Sequence, residues 1–226
     1  MSIHDFIYTF VSSFIALFPV MNPVGSGFIV NGFLEDLDDT HRNLYIKKII
    51  TYSFLIGIGS LLAGHFILLI FGLAIPVIQL GGGLIICKTA IGWLSSSETD
   101  SESTQNKQKT IDELNLQDIE RKLFYPITFP ISIGPGSISV IFTLMAAASV
   151  KGSFLVTGIH YLFIVLAIVA ICAILYLFLS QGRRVMKRLG ASGNMIINKM
   201  VAFFTFCIGI QIVVTGIAKI FHLEIL

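Results

Sequence analysis

The chain contains six apolar runs of about 20 residues or more, and their length limits what it can fold into. An α-helix of about 20 residues crosses the ~30 Å hydrocarbon layer of a bilayer. With 55% hydrophobic and only 12% charged residues, the 226-residue chain has too little polar surface to cover these runs in water. The sequence therefore predicts an all-α membrane protein whose partner is the lipid bilayer, with no nucleic-acid partner.

Hydropathy predicts six transmembrane helices in two groups of three. They are predicted at residues 6–34, 46–71, 74–94, 123–148, 154–180 and 196–222. A segment rich in Ser, Thr, Gln, Asn and charge separates the two groups. This division predicts a first repeat at 1–94, a polar cytoplasmic linker at 95–122 and a second repeat at 123–226, all within one integral membrane domain over 1–226.

Lys and Arg residues are distributed unequally between the two sides of the predicted membrane, twelve against two. The larger set follows spans one, three and five and comprises Arg42, Lys47, Lys48, Lys107, Lys109, Arg121, Lys122, Arg183, Arg184, Lys187, Arg188 and Lys199. Basic residues in short loops face the cytoplasm, so both termini are predicted to lie outside. Because each half has three spans, the second half enters from the opposite side, and the two repeats are predicted to be inverted, as in many secondary transporters.

Spans one and four each contain a break made of two prolines and a glycine. The first break reads Phe18-Pro19-Val20-Met21-Asn22-Pro23-Val24-Gly25-Ser26, and the second reads Phe129-Pro130-Ile131-Ser132-Ile133-Gly134-Pro135-Gly136-Ser137. Proline removes a backbone donor, and lipid offers no water to replace it. Such a break is stable in a membrane only around something polar.

Each break is predicted to start a new half-helix with free amides at its N-terminus. Asn22 is a favoured cap and Pro23 a favoured first helical residue, and Gly134 with Pro135 repeats the arrangement. Three amides after each proline would then suit a carboxylate or carbonyl oxygen, with orphan carbonyls on the other side of the break. The predicted substrate-binding residues are Pro19, Asn22, Pro23, Val24, Gly25, Ser26, Pro130, Ser132, Gly134, Pro135, Gly136, Ser137 and Gln211.

No acidic residue falls in the middle of a predicted span, which limits the chemistry. A proton relay would have to use His65 or His160, so coordination of sodium by carbonyls and hydroxyls, or no coupling ion, is favoured. The sequence contains no cluster of nucleophile, base or metal ligands, so we predict no enzymatic activity, no cofactor and no bound metal. The substrate would be a small molecule, and the oligomeric state is left open.

The chain resembles the MarC family of bacterial inner-membrane proteins. The resemblance rests on Asn22-Pro23-Val24-Gly25, on Pro130 with the segment from Gly134 to Ser139, and on Gly209-Ile210-Gln211 through Thr215-Gly216-Ile217. It implies an inner-membrane location and transport, because the family includes members described as neutral amino acid transporters. Similar proteins tend to have arginine where this chain has Gln79 and Lys199.

The sequence thus predicts a secondary transporter of small neutral amino acids or similar small polar solutes. A channel is the first alternative, because Asn22-Pro23 resembles the half-helices of aquaporins. Against it, the second break lacks the asparagine, and the chain has residues for six spans only. A non-transporting membrane accessory protein is the other alternative, in which the breaks would serve helix packing alone.

Overall fold

The computed structural model describes residues 3–34, 37–95, 122–148 and 153–221, and every regular element in these ranges is helical. In chain order the elements are α1 (Ile3–Met21), α2 (Pro23–Phe33), α3 (Asp39–Phe71), α4 (Ile75–Ser95), α5 (Leu123–Ser132), α6 (Pro135–Ala148) and α7 (Phe154–Phe221). The predicted all-α class is confirmed for this part of the chain. Almost all of the predicted linker lies outside the described residues.

Four stretches of helix are each long and apolar enough to cross a membrane. They are α3, α4 and two parts of α7, which we name α7a (Phe154–Gly182) and α7b (Met195–Phe221). The described chain also has two bent pairs, α1 with α2 at 44° and α5 with α6 at 58°. The number of spans is therefore four, or up to six if each bent pair crosses once.

Helical hydrogen bonding continues from α7a into α7b, where the sequence predicts two separate spans at 154–180 and 196–222. The charged residues between them are compatible with helix, and no proline interrupts the stretch. Leu179 near the end of α7a lies against Arg42 at the start of α3, and Lys199 near the start of α7b lies against the end of α4.

Two hydrophobic clusters hold the bent pairs in place. One cluster contains Leu17 of α1, Ile141 of α6 and Ile168 of α7a, and it fills the interior on the side of α1 and α6. The other contains Val30 of α2 and Leu123 of α5, and it packs these two helices against α3 and α7a. Each bent pair is thus packed on both sides of its break, and break residues such as Met21 and Ile133 belong to the first cluster.

Helix α3 begins earlier than hydropathy predicts. Asp38 caps it, since the carboxylate accepts hydrogen bonds from the Thr40 amide at 3.1 Å and the His41 amide at 3.3 Å. The hydrogen bond with the His41 ring is the main cause that lowers the pKa of Asp38 below its ordinary value of 3.8. Arg42, predicted to lie in a loop, is therefore buried in the first turn of α3.

Candidate functional site

The first break is a helix N-terminus that caps itself. Asn22 adopts the left-handed conformation (φ 43°, ψ 62°), which asparagine tolerates better than most residues. Its side-chain Oδ1 accepts a hydrogen bond from the Gly25 amide at 2.9 Å, and its carbonyl accepts one from the Ser26 amide at 2.9 Å. Two of the three amides predicted to be free at this break are therefore bonded. That part of the prediction is wrong, because an asparagine cap reaches the amides of its own helix.

A carbonyl left behind by the first break is bonded by a side chain from a distant helix. Pro23 has no N–H with which to bond the Pro19 carbonyl, as a helical residue would. Thr205 of α7b places its hydroxyl 3.2 Å from that oxygen and 2.8 Å from the Val201 carbonyl of its own helix. Pro19 therefore contributes to the tertiary fold through Thr205.

The two breaks lie side by side inside the molecule. The Ser26 hydroxyl is 2.8 Å from the Ile131 carbonyl of α5 and 3.1 Å from the Met21 carbonyl of α1, so it links both bent pairs. Gly136 packs under Val20, because a Cβ built on this glycine would lie only 3.4 Å from Val20 Cγ1. The structure thus brings together the two segments that the sequence marks as duplicates.

The segment α5, which leads into the second break, is interrupted by two non-helical residues. Tyr125 and Phe129 each precede a proline and have extended backbones, as the proline ring requires of its neighbour. The Ser132 hydroxyl donates to the Ile127 carbonyl at 3.0 Å, five residues earlier. Ser132, a predicted substrate-binding residue, therefore uses its hydroxyl to stabilise α5.

The second break starts α6 without a side-chain cap. The Gly134 carbonyl accepts a hydrogen bond from the Ile138 amide at 3.1 Å, so that predicted free amide is bonded. Gly134 has no side chain, and within the described residues the Gly136 and Ser137 amides have no hydrogen-bond acceptor. The Ser137 hydroxyl is also without a partner there, although Ser137 is only 1% exposed. The amide of the third helical residue is therefore hydrogen-bonded in α2, at Gly25, and without an acceptor among the described residues in α6, at Ser137.

A cavity of about 190 Å³ lies against the second break. Its lining comes from the two breaks, from α2, from the second half of α4 as far as Trp93, and from Thr205 of α7b. The lining residues are Val20, Ile29, Ile85, Ile86, Thr89, Trp93, Pro130, Ile131, Gly134, Pro135, Gly136, Ser137 and Thr205. The cavity is mostly apolar, with hydroxyl groups and backbone amides as its polar groups.

Five predicted substrate-binding residues line this cavity, namely Pro130, Gly134, Pro135, Gly136 and Ser137. The rest lie outside the lining: Pro19, Asn22, Pro23, Val24, Gly25, Ser26, Ser132 and Gln211. Gln211 is on the exposed surface of α7b, where its Nε2 lies 3.5 Å from the Thr215 hydroxyl. The residues that sequence reasoning missed are mainly on α4 and α7b, where a threonine or tryptophan within an apolar span was the available signal.

A buried polar cluster joins the end of α2 to α7a. Arg42, 6% exposed, donates from Nη2 to Asn31 Oδ1 at 2.6 Å and to the Leu179 carbonyl at 2.7 Å. Asn31 in turn donates to the Gly27 carbonyl at 2.7 Å. Gly182 fits against this cluster, since a Cβ there would overlap the Asn31 amide group. The cluster fixes α2 against α7a on the side of α2 that faces away from the cavity.

Other intramembrane polar residues lie outside the cavity lining. His65 and Lys88 are exposed. His160 packs edge-on against Phe6, with ring centroids 5.6 Å apart. Gln79 is buried, and its Oε1 has no partner among the described residues. Lys199 donates to the Trp93 carbonyl at 3.3 Å and so caps the end of α4. Within the described ranges no three His, Cys, Asp or Glu residues are grouped to hold a metal ion.

Comparison with known proteins gives a match over nearly the whole chain. The profile described as "MarC family integral membrane protein" matches residues 7–221. The inner membrane protein MarC of Salmonella arizonae is 25% identical over 210 residues, covering 91% of this chain and 92% of its own length. A membrane protein of Methanocaldococcus jannaschii is 27% identical over 209 residues, covering 92% and 95%. No solved structure matches the chain.

Proposed function

Since the chain belongs to the MarC family of integral membrane proteins, we propose that it is a secondary transporter of small neutral amino acids or similar small polar solutes. The observation that carries the proposal is the cavity, which both bent pairs border and into which a helix N-terminus with unused donors opens. Irregular backbone at membrane depth is tolerated where it lines such a space.

The size and charge of the cavity agree with a small solute that has no net charge. Its volume of about 190 Å³ is near that of an engineered ~150 Å³ cavity that holds benzene and below the ~300–1,000 Å³ of pockets for drug-sized ligands. No Lys, Arg, Asp or Glu is among the lining residues. An ion without a countercharge would be costly to place there, whereas a zwitterion contains its own.

The packing around the breaks supports alternating access. The cluster that contains Leu17, Ile141 and Ile168 packs the side of α1 and α6. On the other side, a second cluster packs α2 and α5 against α3 and α7a, and the cavity lies next to the breaks toward the end of α4. If the two three-helix repeats are inverted, tilting one repeat against the other could close the cavity on one side of the breaks and open a cavity on the other side. On the predicted orientation, the cavity lies on the cytoplasmic side of the inner membrane and both termini lie outside.

The test is uptake of labelled alanine, glycine and serine into proteoliposomes, with and without sodium or proton gradients. Thr89→Phe fills the cavity from an exposed position on α4, so we expect it to abolish flux. Ile91→Phe is the matched control, since Ile91 is 50% exposed and outside the cavity lining. Wild-type flux equal to that of empty liposomes under every gradient would refute the amino acid proposal.

The same vesicles separate transport from the two alternatives. A transporter exchanges, so unlabelled alanine inside the vesicle should accelerate the entry of labelled alanine. A channel would show no such acceleration and would increase osmotic swelling. An accessory protein would show neither, and Thr89→Phe would then leave every measured quantity unchanged.

A further inference from the structure

We propose that the N-terminus of α6 binds the carboxylate of the transported solute and that the equivalent end of α2 does not. This inference rests on the proposed transport function and assigns the two breaks different roles. The sequence makes the breaks look alike, with a proline at the first helical position of each new helix. The difference lies in the residue before that proline, which is Asn22 in one break and Gly134 in the other.

At α2 the cap residue competes with any ligand. Asn22 Oδ1 occupies the amide of the third helical residue, Gly25, at 2.9 Å. The Asn22 side chain also fills the space beside that glycine, because a Cβ built on Gly25 would lie 2.9 Å from Asn22 Cγ. A carboxylate would have to displace this buried, bonded side chain, so the end of α2 is closed to it.

At α6 the corresponding position is open. Ser137 is the third helical residue, and its amide has no side-chain acceptor because Gly134 has no side chain. The Ser137 hydroxyl adds a second donor, which is buried, has no partner in the described part of the chain and belongs to a cavity-lining residue. Buried hydroxyls are almost always hydrogen-bonded, so an unused one beside unused amides indicates a ligand.

The chemistry of these donors selects a carboxylate. The amides of Gly136 and Ser137 point toward the N-terminal end of a 14-residue helix, where the helix dipole favours negative charge, and the buried Ser137 hydroxyl belongs to the same first turn. A carboxylate has two oxygens and accepts several such bonds at once. Since the cavity lining contains no cation, the positive charge that balances the carboxylate must come from the solute itself.

The chain contains a built-in reporter for the test, because Trp93 is its single tryptophan and lines the same cavity. We would titrate the detergent-purified protein with L-alanine, propionate and L-alaninamide and follow Trp93 emission. L-Alanine and propionate have the carboxylate, whereas L-alaninamide lacks it. We expect a saturable change with L-alanine, a weaker one with propionate because it brings no positive charge of its own, and none with L-alaninamide. Equal responses to L-alanine and L-alaninamide, or no response to either carboxylate, would overturn the proposal.

Ser137→Ala tests the residue itself. Its hydroxyl has no partner to lose, so thermal stability should be unchanged, while affinity for L-alanine should fall at least about tenfold through the lost bond to a charged group. Ser53→Ala is the matched control, since Ser53 is 0% exposed, also without a partner in the described residues, and outside the cavity lining. It should leave both affinity and stability unchanged. A Ser137→Ala protein with wild-type affinity would refute the site.

The outcomes separate this inference from the transport proposal. Binding of propionate that depends on Ser137, without uptake of any amino acid, would preserve the carboxylate site and end the transport proposal. Uptake of alanine that is unaffected by Ser137→Ala would preserve transport and overturn the carboxylate site.

Discussion

Asn22 offers the sharpest test of how the first break is stabilised, because replacing it changes the free energy of unfolding in two separate ways. Its Oδ1 bonds the Gly25 amide at 2.9 Å, and loss of such a cap costs about 1 kcal/mol. Its φ of 43° is free of strain for glycine but costs an alanine roughly 1–2 kcal/mol. We therefore expect Asn22→Gly to lower the free energy of unfolding by only about 0.3 kcal/mol, and Asn22→Ala by about 2–3 kcal/mol.

The assay is reversible unfolding in mixed micelles, followed by circular dichroism while the fraction of denaturing detergent is raised. Asn43→Ala serves as the control, because Asn43 is an exposed residue of α3 and alanine is the better helix former there. An Asn22→Gly protein as unstable as Asn22→Ala would refute the predicted cost of the left-handed backbone. An Asn22→Ala protein as stable as Asn43→Ala would refute both predicted costs.

Three further predictions concern neighbouring parts of the fold. Gly25→Ala should lower the stability of the wild-type protein, because the new Cβ would lie 2.9 Å from Asn22 Cγ. In an Asn22→Gly background the same substitution should be much less destabilising, and additive effects in a double-mutant cycle would contradict this contact. Arg42→Met should lower the free energy of unfolding by about 3 kcal/mol, because buried oxygens lose a charged donor; wild-type stability in mixed micelles would contradict the cluster. The pKa of Asp38 is lowered in the folded protein, so its contribution to stability is complete above its ordinary value of 3.8 and is lost as the pH falls through the lower folded value. Thermal unfolding of Asp38→Asn should lack this part of the pH dependence, and identical profiles would contradict it.

The positions of the helices were largely predictable from the sequence. The predicted span at 74–94 agrees with α4 at Ile75–Ser95, and the predicted break before Pro23 is where α2 begins. Apolar length and proline act locally, so neither needs knowledge of the fold. The burial of Arg42 could not be predicted in this way. A charged residue is expected in a loop, and its burial depends on Asn31 and the Leu179 carbonyl, which only the fold brings next to it.

The candidate site was only half predictable. Hydropathy and proline marked both breaks, but five of the thirteen predicted residues line the cavity. The lining residues of α4 and α7b were marked only weakly, by a threonine or tryptophan, because an apolar helix presents similar side chains to lipid, to a neighbouring helix and to a cavity. Thr205 is an example, since nothing in its local sequence indicates that it bonds the Pro19 carbonyl, 186 residues earlier.

The sequence by itself determined that the chain is helical, that it belongs in a membrane and that two of its helices are broken. In lipid the backbone must bond to itself, and proline prevents that at chosen residues. Only the tertiary structure decided that the two breaks adjoin, that α4 and α7b enclose a cavity beside them, and that Ser137 is buried there without a partner. The physical reason is competition for hydrogen bonds, since a donor is available to a ligand only when no other part of the folded chain has reached it first.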